Sequence, residues 1–400
     1  MSAGKGVQVY RPAHSAVFLA DKARLRRRPR APGRKRPLSF YEQFEDKALF
    51  YDCFWHHGGA DILLVGPPPL NLAEHYKQAR FVAKPSGVEL KAEFFPSRST
   101  MTTRLADAPT DTTHVEMNFS GELYRFAVQP SLVEKFAGAR ILFSMNKNNE
   151  LRWISDWVAY HVRHHHADSV VLFDNGSNLY GHEELEQAVT RIEGLKRLVL
   201  FSWPYRFGRT DSRVFTYHYW AHFLQISSMG LVLRRLGMRA EAILNCDVDE
   251  LVAPVAGSDI FKLTQTASYG VASLSGKWVE AVIAPDRSGY AHAQGFRHGD
   301  FSYMRRDPSR FLCPKKWALN PRNDWVENLN IFPYWHRIMG APERRSTEKP
   351  VCSFWHFRGI STNWKQTRRQ PDKPSSLLHY RDEKLFRAVK NISRTGRGTL

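Results

Sequence analysis

The chain has 400 residues, 42% of them apolar and 13% aromatic, enough to bury one large core or two modest ones. Its net charge of +19 is unevenly spread: residues 1–40 hold eleven Lys or Arg against one acid, Asp21, and carry +10, which leaves +9 for the other 360. No run approaches the roughly 20 apolar residues of a membrane-spanning helix. No secretory signal pattern opens the chain, and Cys53, Cys246, Cys313 and Cys352 form neither a C-x-x-C pair nor a disulfide framework. The expectation is a soluble protein of a reducing compartment, the cytoplasm.

Residues 1–38 read as a basic disordered arm, because Lys22 to Pro37 (KARLRRRPRAPGRKRP) is too charged and Pro-rich to fold alone. Each Lys or Arg near an anionic leaflet contributes about 1 kcal/mol, so such an arm could hold the chain peripherally at the inner membrane surface. Nucleic acid is the weaker partner, since no RRM, KH, zinc-finger or helix-turn-helix pattern accompanies the charge. Residues 39–138 read as a small β-rich N-terminal domain. Val88–Phe95, His114–Phe119 and Glu122–Val128 are short and partly alternating, with Ser, Thr, Gly and Pro between them. His56-His57-Gly58-Gly59 reads as a turn.

At Ala139 the texture changes. Arg140–Met145 is an apolar strand ending in Asn146-Lys147-Asn148-Asn149-Glu150, and Leu151, Ile154, Trp157, Val158 and Val162 then recur at helical spacing. Ser169–Phe173 is a second strand, ending in Asp174-Asn175-Gly176-Ser177. A helix near Glu183–Ile192, a strand Arg197–Phe201 and a long helix near Arg213–Leu236 follow. Ala242, Ile243 and Leu244 then make a buried strand that ends in Asp247, Asp249 and Glu250, and Val271–Leu274 is a fifth strand. This is the rhythm of βαβ units around a mostly parallel sheet. The polar residues gather at carboxyl ends of strands, where open α/β sheets bind ligands. Side chains alternate along an extended backbone, so Asp247 and Asp249 are expected on one side and Val248 on the other. Two neighbouring carboxylates repel unless a cation lies between them. Oxygen ligands suit Mg²⁺ or Mn²⁺, ions commonly shared with substrate phosphates.

Taken in order, Asn149-Glu150, Asp156-Trp157, Tyr160-His161, Phe173-Asp174-Asn175-Gly176-Ser177 and Asp247-x-Asp249-Glu250 resemble the motif series of GT-A glycosyltransferases in the family 2 and family 92 group. The resemblance covers about Arg140 to Pro254. Asp156 stands where that group usually has Glu, and Asn148 is an extra residue after Lys147. The resemblance implies a GT-A core over 139–335 and a segment, 336–400, that closes the site. It further implies sugar transfer from a nucleotide-sugar, a UDP-sugar above all, to a glycan, lipid-linked or protein acceptor, with inversion. Asn146, Asn149, Glu150, Asp174 and Asn175 would line the nucleotide pocket. Asp247 and Asp249 would bind the metal–diphosphate, with His356 closing over it and Arg358 on the donor; His336 is a rival for the role of His356.

An inverting route needs a carboxylate to take the acceptor's proton. Glu280, Asp286, Asp300 and Asp307 follow the acidic strand, and Glu280 is favoured over Asp300 because it follows a buried-looking strand and Trp278. Lys315, Lys316 and Lys365 join Arg358 as candidate phosphate contacts. Six of the eleven Trp lie beyond residue 270, suited to sugar faces or to a core. His164-His165-His166 and the pair His218 and His222 lack the partners of a zinc site. No G-x-G-x-x-G, P-loop or G-x-S-x-G pattern occurs at a strand end. Two rivals remain. A nucleotidyltransferase would want a Gly-rich loop where Met145–Glu150 has none, and a protein that binds nucleic acid or an anionic surface by charge alone would need no metal.

Overall fold

The computed structural model describes residues 6–209, 220–283, 295–307, 312–342, 349–360, 371–390 and 392. Nine strands form the principal sheet: β1 (Gln8–Tyr10), β2 (Arg140–Asn146), β3 (Ser169–Asp174), β4 (Arg197–Ser202), β5 (Ala242–Asn245), β6 (Glu250–Val252), β7 (Val271–Val279), β8 (Cys313–Leu319) and β9 (Cys352–Phe357). Their order is β1-β4-β3-β2-β5-β8-β7-β9-β6. The first five in that order run parallel, whereas β8 is antiparallel to β5 and β7, and β6 is antiparallel to β9. The fold is therefore a mixed α/β arrangement around a large mixed sheet, less parallel than expected.

The parallel strands are apolar on both faces because both are covered. On one side Leu142, Val170, Leu172, Leu198 and Leu244 pack against Ile154, Trp157 and Val158 of α1 (Leu151–His165) and against Leu185 and Val189 of α2 (His182–Thr190). On the other side Ile141, Phe143, Val171, Phe173 and Ile243 pack against α3 (Phe223–Leu231) and the π-helical turn Val232–Gly237 that continues it. Each aliphatic side chain buried in this way contributes about 1.5–3 kcal/mol. Of the helix expected from Arg213, residues 213–219 lie outside the described residues, and Trp220 to His222 are not helical.

Seven further strands between Asp52 and Ala127 form an antiparallel sheet, in the order Glu122–Ala127, His114–Phe119, Arg80–Lys84, Glu89–Pro96, Met101–Ala106, Ile62–Gly66, Asp52–Trp55. It is not walled off from the principal sheet: Phe54, Leu63 and Val65 belong to the same apolar cluster as α3. Arg235 and Asp52, 1% and 0% exposed, meet at 2.6 Å. Arg235 also donates to the carbonyls of Ala13 and Pro130 at 2.9 and 3.2 Å, tying three segments together.

The basic arm is not disordered over residues 6–38. β1 pairs with the edge of β4 in parallel register, Val9 opposite Leu198, and Val17–Phe18 pairs with Ala48–Phe50. The arginines are taken up by carbonyl oxygens: Arg27, 2% exposed, donates to Pro68 and Glu45 at 2.8 and 3.2 Å, and Arg26 donates to Ala23 and Leu25 at 2.7 and 2.8 Å. A guanidinium carries five donors, so backbone carbonyls can absorb a run that composition alone marks as unfoldable. No helix among the described residues is long and apolar enough to cross a membrane.

One buried histidine makes stability depend on pH. His165 is fully buried; its Nε2–H donates to the Val252 carbonyl at 2.9 Å and its Nδ1 accepts the Ile260 N–H at 3.3 Å, which requires the neutral Nε2–H tautomer. Burial pushes its pKa down to about 4 from 6.5. Between those values the unfolded chain binds the proton and the folded chain does not, so stability falls as pH drops through that window and is unaffected above it. The loss from this residue is about 2–3 kcal/mol by pH 4.5. Urea unfolding at pH 7 and 4.5 should show His165→Gln losing that much less stability over the interval than the parent chain; parallel losses would contradict this origin.

Candidate active site

β5 ends at Asn245, after which the backbone turns instead of staying extended. The Glu250 N–H donates to the Asp247 carbonyl at 2.9 Å, closing a turn over 247–250, so Asp247 and Asp249 do not alternate along a strand as expected. Val248 does face inward, 3% exposed. The Asp247 N–H donates to the Glu250 carboxylate at 2.8 Å. β6 then begins at Glu250 and pairs with β9, which sets Glu250 opposite His356. β9 in turn pairs with β7, which sets His356 opposite Trp278. Glu250, His356 and Trp278 thus form one row across three adjacent strands, and residues in such a row share a face. A bulge in β7 between Leu274 and Gly276 brings β8 close; a Cβ at Gly276 would meet Cys313 Sγ at 2.4 Å.

The row builds a charged cluster. His356 Nε2 lies 3.2 Å from Asp249 Oδ2 and its Nδ1 lies 3.5 Å from Glu250 Oε1. Its ring stacks on Trp278 with centroids 4.2 Å apart. Burial alone would lower the His356 pKa, but Asp249 and Glu250 raise it to about 10, so without a bound metal the imidazole is a cation. Lys316 of β8, 4% exposed, puts its ammonium 2.6 Å from Asp247 Oδ2 and 2.9 Å from Glu250 Oε2. Burial pulls the lysine pKa down, and the two carboxylates more than reverse it. Burial lifts the Glu250 carboxyl above its usual range, against the pull of that ammonium.

Asp249, Glu250 and His356 offer three ligand atoms within 4.8 Å of one another. Two carboxylates and an imidazole suit Mn²⁺ or Mg²⁺, so this donor set fits a divalent cation. It is not the set expected: Asp247 is turned to Lys316, and Glu250 takes its place. The Lys316 pairing and the Trp278 stack were also missed. D-x-D-E hinted at Glu250, but nothing local marks Lys316, which lies 69 residues from Asp247.

At the ends of β2 and β3, Asn146 and Asp174 are register partners. The Asn146 amide donates to Asp174 at 2.7 Å and to the Tyr180 hydroxyl at 3.0 Å, and its carbonyl oxygen accepts Asn149 at 2.9 Å. Asp174 also accepts the Ser177 N–H at 3.0 Å, which pins the loop after β3. Asn175 donates to the carbonyls of Trp203 and Tyr205 at 2.7 and 2.8 Å. Asp174 and Asn175 therefore shape the loop rather than project from it. Glu150 is turned onto Arg152, and Asp156 is held by the guanidinium of Arg297.

Of the base candidates, Glu280 is linked to the cluster through Arg358 and Trp278. Its Oε1 is 3.6 Å from Arg358 Nε, and Arg358 lies over Trp278, 4.6 Å from the ring centroid. Glu280, Arg358, Trp278 and His356 make a continuous column. Asp300 instead accepts the Arg297 N–H at 2.8 Å, capping a short turn. Asp286 and Lys365 lie outside the described residues, as does His218. His336, the rival of His356, lies outside the trio but beside it: its Nδ1–H donates to the Lys315 carbonyl at 2.8 Å, and burial pushes its pKa down to about 4. A cavity of about 200 Å³ opens beside the cluster, lined by Asp247, Glu250, Lys316, His336 and His356 together with Trp220 and Trp335. A larger cleft of about 1130 Å³ opens near the start of β2, but its Arg140 is engaged by Glu241 and Asp259 and its Lys196 by Asp168.

No protein-family model matches the chain, and no curated protein matches it. Among solved structures, it is similar over 54% of its length to the apo structure of the bifunctional glycosyltransferase WbbM, at 13% identity and TM-score 0.26. It is similar over 47% of its length to the galactosyltransferase LgtC in complex with donor and acceptor sugar analogues, at 13% identity and TM-score 0.24. Both neighbours are glycosyltransferases. The chain spans 39% and 59% of the two neighbours, less than two thirds of either.

Proposed function

We propose that this chain is a metal-dependent glycosyltransferase that moves a sugar from a nucleotide-sugar, a UDP-sugar first among them, to a hydroxyl of a glycan, lipid-linked or protein acceptor. The observation that carries this reading is the meeting of Asp249, Glu250 and His356 beside the buried Lys316, at the strand ends where α/β sheets bind ligands. Bound there, Mn²⁺ or Mg²⁺ supplies Lewis-acid stabilisation of a departing diphosphate. Lys316 fixes Asp247 and Glu250 and adds a positive charge already in place before the reaction. Asn149, braced at 2.9 Å by the buried Asn146, faces the nucleotide. Glu280 takes the acceptor's proton: the acceptor oxygen forms its bond to the anomeric carbon as the bond to the diphosphate oxygen breaks, with inversion. Arg358, beside Glu280 and over Trp278, orients that carboxylate.

The test is to incubate the full chain with a panel of nucleotide-sugars, with and without Mn²⁺, and to measure free nucleotide. Release that requires Mn²⁺ and one class of donor is expected. Silence with every donor, alongside salt-sensitive binding of RNA, would replace this reading with binding by charge alone.

A further inference from the structure

A second cluster lies at the other end of the principal sheet. β8 is antiparallel to β5, so Lys316 reaches the acidic turn at the carboxyl end of β5 while Leu319 lies beside Ile243 near its start. The chain that leaves β8 carries the short helical turn Asp324–Glu327. There Glu327 Oε1 stands 3.2 Å from His57 Nε2. His57 follows His56 in the turn after the strand Asp52–Trp55, and their rings are 4.1 Å apart, centroid to centroid.

We propose that His56, His57 and Glu327 form a Zn²⁺ site that staples the N-terminal antiparallel sheet to the segment following β8. Their ligand atoms lie within 4.8 Å of one another, and two imidazoles with one carboxylate are a zinc donor set, leaving a fourth position for water. Two observations point to a ligand. His56 Nε2 and His57 Nδ1 are buried and have no hydrogen-bond partner, and buried polar atoms are seldom left so. Both carriers are also preorganised. The turn is closed by the Gly59 N–H on the His56 carbonyl at 3.0 Å and by the His56 N–H on the Asp61 carbonyl at 2.8 Å. On the other side, buried Arg234 donates to the carbonyls of Val326 and Asn328, at 2.6 and 2.7 Å, gripping the backbone on either side of Glu327.

The local charge permits a cation. Arg104, whose field reaches His56, is engaged by Glu93 and Asp61, and Arg234 is turned to backbone carbonyls. The adjacent His-His pair in a Gly-rich turn looked empty of chemistry because its third ligand is 270 residues away (327 − 57).

The site is independent of the sugar-transfer reading and is tested apart from it, in an Asp249→Ala background that removes one ligand of the other donor set. The full chain is equilibrated with Zn²⁺, desalted and assayed for metal. A single retained Zn²⁺ is expected, with Zn²⁺ raising the Tm. Glu327→Gln, an exposed change that leaves the packing intact, should weaken retention by a factor of about 10 or more. His57→Gln should abolish the visible bands of four-coordinate Co²⁺ substituted for zinc. Zinc retention and cobalt spectra that are the same in Glu327→Gln, His57→Gln and their parent would overturn the proposal, as would an absence of bound zinc in the parent.

Discussion

Replacing Lys316 by Met is expected to lower the unfolding free energy at pH 7 by about 3–5 kcal/mol, the usual cost of breaking a buried ion pair from one side. The ammonium touches Asp247 at 2.6 Å and Glu250 at 2.9 Å. Asp247 is partly exposed and can be rehydrated, but Glu250 is 1% exposed and would keep only the His356 cation, 3.5 Å away and shared with Asp249, against its burial and the two aspartates. The sign with pH follows. Without Lys316 the folded-state pKa of Glu250 rises further above its unfolded value, so the lost stability returns as pH falls and Glu250 takes up a proton. Glu250→Gln in the same chain removes the stranded charge, and the double variant should recover most of the loss. Urea titrations of the four chains at pH 7 and pH 5 measure all of this. A loss below about 1 kcal/mol, or strict additivity in the cycle, would mean the lysine is not the partner its distances make it.

The second large effect concerns activity. Asp249→Asn is expected to reduce Mn²⁺-dependent release of nucleotide by on the order of 10²–10³-fold. The side chain is 20% exposed and pairs with the His356 cation at 3.2 Å, so the metal-free chain also loses stability, and rates are compared where both chains are folded. Asp247→Asn should behave differently. Its carboxylate holds Lys316, so a substantial share of the effect should appear as lost stability, with a smaller change in the Mn²⁺ requirement. Initial rates against Mn²⁺ concentration separate the two, because loss of a metal ligand moves the concentration giving half-maximal rate. Overlapping Mn²⁺ curves for Asp249→Asn and the parent would remove Asp249 from the metal site.

Half of the principal sheet was readable from residue order because its strands lie covered on both faces. Such strands appear as unbroken apolar runs, and those ending at Asn146, Asp174 and Ser202 fall within a residue of expectation. In the other half only β7 was readable, from Val271–Leu274. β8 (CPKKWAL) and β9 (CSFWHF) carry Lys316 and His356 on the face that builds the site, which interrupts the apolar pattern. Lys316 and His356 were legible as separate candidates, a phosphate contact and a metal ligand, but the Lys316 pairing was not, since its carboxylate partner lies 69 residues away. The acidic triplet was legible as chemistry but not as geometry. A turn at 247–250, not an extended strand end, exchanges Asp247 for Glu250 beside Asp249. The N-terminal arm failed for another reason: composition counts a guanidinium as solvated charge, whereas Arg27 and Arg26 are absorbed by carbonyls.

That first segment also bears on how the protein tolerates trimming. β1 covers the outer edge of β4 with three residue pairs, Gln8 to Arg197 through Tyr10 to Val199. A chain shortened to begin at residue 39, as its charge would invite, would bare a row of unsatisfied amides and carbonyls along β4 and invite edge-to-edge association. It would also strip Ala13 from Arg235 and the Ser15 N–H from Asp52, loosening a charge pair that no water reaches. The lysines and arginines at the front of this protein are thus a seam, and unpicking it would open the sheet from the side opposite its chemistry.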